Sequence, residues 1–416
     1  MRKLNQFYSV VSDAKLICTL LCTGILYSLF LWPLLNSILC VTLGAYWLLF
    51  CKKSIHPGTT RFRLVVIFAS LYLPYVTGMI YTANTHEGIF RLQEHIAFVL
   101  FPIVFGFSRF LDKDTVRLLL THFIISCLIT AGAGYIFGLL PADIHLPTAL
   151  LYGHQYIFGN TYPYIIAMSC LLSLVIICEN GYDRRILRKG FIVFIFVFLS
   201  YYLLFLNVRL ASICWLATMI YYICRNISSP FIRSLFIGGI VLIMIAGMYR
   251  VPAMKSKWEE FRNYREQMIP LDKDASLGKS WGGMSIRVAL WRSGKDLILR
   301  HPLLGVGTGD VQDSLQQAYE NRKFYFASRY NRYNLHNQYL QMLAAFGIYG
   351  LVILLMVMVV PVVCLRSGPF YRMRLIFLLL FFLICFTEVI LDTNKGIIWY
   401  SFFNSIFAFG AGEADV

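Results

Sequence analysis

Long apolar runs separated by short polar turns dominate the chain. Runs of this length suit helices, because about 20 apolar residues cross ~30 Å of hydrocarbon and a helix satisfies its own backbone polar groups. Spans are predicted near 16–32, 34–50, 64–82, 96–108, 116–138, 163–178, 190–206, 210–224, 232–249, 338–364, 375–390 and 397–412. The N-terminal basic residues lead into an apolar run without a small-residue cleavage site, which predicts a first span, not a removed signal peptide. Between the ninth and tenth spans the pattern changes to a long polar segment, 250–335. Within it Ile286, Leu290, Leu297 and Ile298 recur at near-helical spacing, predicting an amphipathic helix over Ser285–Leu299 that ends at His301-Pro302 and the glycines Gly305 and Gly307. A second, polar helix is expected over 310–328. The chain therefore divides into helices 1–9 (1–249), one large loop with amphipathic helices (250–335), and helices 10–12 (336–416).

Composition agrees with this division. Hydrophobic residues make up 58% of the chain and charged residues 14%, against an apolar share of roughly 45–50% in soluble domains. The expected class is an all-α integral membrane protein. Lysine and arginine then orient it, since short cytoplasmic loops retain them. One set of short loops carries nineteen, from Arg2 to Arg374, and the alternate set only Arg91, Arg209 and Lys395. Both termini are expected in the cytoplasm, with the 250–335 loop outside. The net charge of +16 divides between these cytoplasmic loops, which suit anionic membrane lipid, and the outward loop. Nucleic acid is excluded as a partner by that geometry. The eleven cysteines lie in or beside the spans with no CxxC spacing, so neither a disulfide framework nor a metal site is implied.

An outward site has no nucleotide sugar to draw on, so synthetic chemistry there needs a donor activated before it crosses. Lipid-linked diphosphate sugars are that class. Binding and releasing a diphosphate calls for arginine, which offers bidentate hydrogen bonds and a permanent charge. Activating an acceptor hydroxyl calls for a base near neutrality, which is histidine's role. His336, in "NLHNQYLQMLAAFGIYGL", stands at the seam between the loop and the tenth span. Arg209, in "LLFLNVRLASICWL", lies where two spans meet almost without a loop, a costly place for a charge without a task. Arg287 lies four residues before Trp291, so a cation–π contact is expected to hold its guanidinium. Glu388, Asp392 and Lys395 flank the last outward turn, where they could form an ion pair or hold a substrate, with local structure the favoured reading. "GVGTGD" follows a helix, not a strand, which removes a dinucleotide role, and Asp272 and Asp274 in "DKD" are read as solvated rather than as metal ligands.

"SIRVALWRSGKDLILRHPLLGVGTGD", followed by "LHNQYLQMLAAFGIYGL", resembles the signature region of the O-antigen ligase and polymerase superfamily. "NVRLASICWL" is similar to that family's arginine-bearing segment, departing from it at Val208, where a small or hydroxyl residue is commoner. The resemblance covers most of the second half of the chain and the general plan of the first. It implies a fold of about twelve transmembrane helices of the GT-C glycosyltransferase type, with one large periplasmic helical loop. It further implies a multi-pass protein of the bacterial inner membrane, working without metal or cofactor on a glycan linked to undecaprenyl diphosphate. Carried over by motif, Arg209 and Arg287 bind the donor diphosphate and His336 acts on the acceptor hydroxyl. Arg91 in "GIFRLQEHIAFVLFPIVF" is the candidate for the family's early outward basic residue and is expected to join them in binding the donor diphosphate. The expected activity is O-antigen ligation onto lipid A–core oligosaccharide, favoured over protein-glycosylating relatives by the short ends. The alternatives are an O-antigen polymerase and a transporter of lipid-linked glycan.

Overall fold

The computed structural model describes residues 14–54, 56–139, 163–206, 208–250 and 283–410. The basic pair Arg2 and Lys3 and the acidic pair Asp272 and Asp274 lie outside these residues. Helices carry the fold, and no strand occurs among the described residues. In chain order they are α1 (Ala14–Leu31), α2 (Pro33–Phe50), α3 (Thr60–Ala69), α4 (Leu73–Gly78), α5 (Thr85–His95), α6 (Ala97–Gly106), α7 (Lys113–Leu139), α8 (Pro163–Cys178), α9 (Lys189–Phe205), α10 (Arg209–Asn226), α11 (Pro230–Arg250), α12 (Gly283–Arg300), α13 (Val311–Asn321), α14 (Gln338–Cys364), α15 (Tyr371–Ile384) and α16 (Asn394–Phe409).

Every predicted span meets a helix, and the chain is a multi-pass membrane protein. By length and composition four described helices are sufficient on their own to cross a bilayer: Pro33–Phe50, Thr85–Gly106, Lys113–Ile136 and Gln338–Cys364. Several others, such as Pro163–Cys178 and Lys189–Phe205, are apolar but shorter. Two predicted spans take a different form. The run at 64–82 is broken, α3 passing through a 3-10 turn at Ser70–Tyr72 into α4. The run at 96–108 is the second half of a longer rod, because α5 continues into α6 at Ile96. The charged residues Glu87, Arg91 and Glu94 conceal the first half of that rod from an apolar scan.

α16 runs through the centre of the helical body. All but its first residue are buried, and Phe403 meets Phe123, Phe377 and Trp399 at ring distances of 4.5–6.2 Å. Apolar contact of this kind gives helices in lipid their packing energy, because lipid tails remove the aqueous driving force. At the other extreme of polarity, Arg374 is fully buried and donates to the carbonyls of Phe407 and Leu365 at the ends of α16 and α14. Carbonyls at helix C-termini carry partial negative charge, so the guanidinium clamps two helix ends that the chain separates widely.

α12 and α13 form a separate cap with a small core of its own, including Leu290, Leu315, Tyr319 and Phe324. The glycine-rich run after α12 is a strap that holds the cap to the body. α14 is interrupted at Gly347, whose φ of 60° and ψ of −157° are non-helical. The break frees the carbonyls of Ala344 and Ala345, which accept from Val306 and Gly307. Contact is so close that a Cβ on Gly347 would lie 2.3 Å from the Leu303 carbonyl carbon, and one on Gly305 2.3 Å from that of Ala345. Only glycine fits at either position. Farther on, Asp310 accepts from the backbone amides of Ala83 and Asn84, both at 2.7 Å, fixing the start of α5. "HPLLGVGTGD" is thus a docking element, consistent with the loss of its dinucleotide reading.

Candidate functional site

The seam residue sits on a tightly built turn. Asn337 caps α14, its side-chain oxygen accepting from Leu340 N while its amide donates to Phe386 O. Gln338 N donates to Cys385 O, and Gln338 Oε1 accepts from Leu391 N. These bonds pin the start of α14 to the 385–391 turn between α15 and α16. His336, immediately before the cap, has a φ of 44°, and its N–H donates to Asn334 Oδ1 at 3.0 Å. A non-glycine residue in this left-handed region is held at a cost of roughly 1–3 kcal/mol, and such strain clusters at functional sites.

The 385–391 turn delivers Glu388 to the histidine. Glu388 is 6% exposed and bridges two groups. One carboxylate oxygen meets His336 Nδ1 at 3.2 Å, and the other accepts from Arg287 Nη2 at 2.5 Å. An ionised carboxylate can only accept, so the Nδ1 position carries the proton and the Nε2 lone pair is left for chemistry. Arg287 lies on α12, its Nε donating to Thr387 O and Nη1 to Gly283 O, while Nη2 also reaches Tyr164 Oη at 3.3 Å. Four N–H directions of the fork are thereby used. The cation–π contact expected with Trp291 is replaced: Trp291 Nε1 donates to Leu335 O at 2.8 Å, which anchors α12 to the segment before His336.

His336 and Glu388 open onto a cavity of about 610 Å³. That size lies within the usual range for small-molecule sites, about 300–1,000 Å³. Arg91 lines it too, with its guanidinium engaged by Glu87 at 2.8 Å and Glu94 at 3.1 Å. On the same wall stands Asp392, bonded by the Asn334 side chain. Burial pushes the Asp392 carboxyl up to about 6, while Arg91 and Asn334 pull it back down. Because the folded value lies above that of a free carboxyl, Asp392 favours the fold below about pH 4 and loses that contribution as pH rises through 6. An Asp392→Asn variant should therefore gain thermal stability over the wild type as pH rises from 4 to 7. Melting temperatures in detergent across that interval check the sign.

The structure thus places His336 and Arg91 on one cavity, and Glu388 ties His336 to Arg287, which lies behind the lining. Arg209 is not among the residues lining the cavity. It starts α10, which packs on α8. α8, α9 and α10 follow one another through short turns, which places Arg209 at the end of the bundle that carries Tyr164. Three contributors were not singled out by sequence: Glu388, read as local structure, and Tyr164 and Asn334, for which no sequence signal stood out. For Glu388 a signal existed, an acidic residue at a span boundary, where charge is expensive without a task.

An all-helical membrane body, a strapped polar cap and an imidazole aligned by a carboxylate at the junction define a membrane-embedded site suited to proton transfer at a hydroxyl. Residues 188–355, which include Arg209, Arg287 and His336, match the family model Wzy_C, described as O-antigen ligase. The matched stretch holds the motifs on which the resemblance to that family rests, and so supports it. The match supports a function of the O-antigen ligase or polymerase type, a family whose substrates are lipid-linked glycans. A comparison with curated proteins finds no match.

Proposed function

We propose that the protein is an O-antigen ligase of GT-C type, transferring polysaccharide from undecaprenyl diphosphate to lipid A–core oligosaccharide at the periplasmic face of the bacterial inner membrane. The observation that carries this reading is the chain Arg287–Glu388–His336, whose Glu388 and His336 line an open cavity with Arg287 behind them. Orientation rests on the charge asymmetry of the short loops. In the reaction the acceptor hydroxyl oxygen attacks the anomeric carbon of the donor, and its proton passes to His336 Nε2. The bond from that carbon to the diphosphate oxygen breaks, and the electron pair leaves with undecaprenyl diphosphate. Glu388 steadies the imidazolium that forms, as a carboxylate does for a histidine base. Arg287 and Arg209 balance the charge that develops on the diphosphate, so no metal is needed for that role.

A bidentate grip on phosphate requires Arg287 to give up a present partner, and Tyr164, at 3.3 Å, is its longest contact. Arg91 is already balanced by Glu87 and Glu94, so we assign it to the wall of the acceptor cavity, not to the diphosphate. Arg287→Lys and Arg209→Lys keep the charge and lose the planar fork. Each should lower transfer at least about tenfold, on the scale of one charge-assisted hydrogen bond. Wild-type rates in both variants would remove the bidentate role. Ligase and polymerase are separated by giving purified protein both lipid-linked glycan and lipid A–core. Ligation puts polysaccharide on lipid A–core. Lengthening of the lipid-linked glycan alone would assign a polymerase, and movement of donor across vesicles without new bonds would assign a transporter.

A further inference from the structure

The cavity beside His336 is chemically uneven. Its lining includes four carboxylates against two guanidinium groups, and with Glu94 and Arg287, which pair with lining residues, the carboxylates still outnumber the guanidinium groups, so negative charge is in excess. An anionic diphosphate gains nothing from such walls, since like charges in a partly dry cleft repel strongly. The end nearest the cap has another character. Asn84, Gln312 and Asn334 present side-chain amides there, each able both to donate and to accept, and Asp313 adds an acceptor. Tyr333 lies next to the catalytic ring, 5.3 Å between centroids. Its half-buried ring gives a flat apolar face among these polar groups. Paired donors and acceptors around an aromatic face match a sugar ring, whose hydroxyls both give and take hydrogen bonds while its C–H face is apolar.

We propose that this end of the cavity is the acceptor subsite and that it takes an uncharged sugar, discriminating against sugars bearing phosphate or carboxylate at the ring beside His336. The proposal rests on the transferase function assigned above. The surrounding bonds show a prebuilt wall: Asn84 Nδ2 donates to Asp313 at 3.0 Å, Arg332 to Asp313 at 3.2 Å, and Gln312 to Arg332 O at 2.7 Å. These contacts join the start of α5, the start of α13 and the strained segment before His336, where Arg332 also has a positive φ of 46°. The acceptor sugar would therefore sit where cap and body meet, with its hydroxyl toward His336. The diphosphate would enter from the side of Arg287 and Arg209.

The test is calorimetric binding to the full-length protein in detergent, without donor, of lipid-free core oligosaccharide in dephosphorylated and phosphorylated forms. The dephosphorylated form should bind more tightly, by about tenfold. Tyr333→Ala should weaken its binding about tenfold while Tyr333→Phe leaves it unchanged. Asp313→Lys, which puts a positive charge at this end of the cavity, should narrow or reverse the preference between the two forms. Equal binding of both forms by wild type and by Asp313→Lys would overturn the proposal. It would also be overturned if these variants left acceptor binding intact and instead raised the KM for lipid-linked donor, which would place donor glycan in the cavity. Binding is read without turnover, so failure of the transferase function shows separately, as absence of product from wild type given both substrates.

Discussion

Replacing His336 with alanine is expected to lower glycan transfer by ~10²–10⁴-fold, the usual contribution of a positioned general base, with binding of the lipid-linked donor little changed. The split follows from position. Donor binding depends on guanidinium groups, while the imidazole, 25% exposed at its side chain, faces the cavity with Nδ1 committed to Glu388. The substitution removes a residue from a left-handed backbone position. Alanine is also disfavoured there, so a modest loss of stability should accompany the loss of rate. Rate in a single-turnover assay and donor affinity in a binding assay separate the two effects. Retained wild-type transfer would exclude a base role for His336.

The second large effect is expected from Glu388→Gln. The side chain keeps its size but loses the charge that faces both Arg287 and His336. An amide can turn its NH₂ toward Nδ1, which would favour the tautomer with the proton on Nε2 and so remove the base. A drop of at least ~10²-fold in rate is expected, on the pattern of carboxylate-to-amide changes beside a catalytic histidine. Stability should also fall, by about 3 kcal/mol, because Arg287 is left largely buried without its counter-charge. Thermal unfolding measures that part, and assays below the melting transition isolate the catalytic part. Unchanged activity with a lowered melting temperature would make Glu388 purely structural.

The helices were legible because a membrane span is a local property: one run of apolar residues is enough to predict α1, α7 or α14. Local pattern failed where the helix was amphipathic, as in the Thr85–His95 half of the rod that carries Arg91. It also misassigned contacts that depend on distant chain. Arg287 and Trp291 are four residues apart, yet each takes its principal partner from elsewhere, Glu388 and Leu335. His336 and Arg287 could be picked out as candidates because they fall in the motifs that carry the resemblance and answer a chemical need. Glu388 was not, because its partners lie 52 and 101 residues away and only the folded turn between α15 and α16 brings them within reach. The glycines of the strap were visible as a motif, but their reason, a broken helix that accepts a second backbone, required the fold.

The proposed catalysis depends on Glu388 acting through His336. A double-mutant cycle on transfer rate tests it most directly, with His336→Ala, Glu388→Gln and the two combined. Groups that work as one unit lose activity non-additively. The predicted result is a double variant no slower than His336→Ala alone. A double variant whose loss is the product of the two single losses would show that the carboxylate and the imidazole act independently, and would contradict the account.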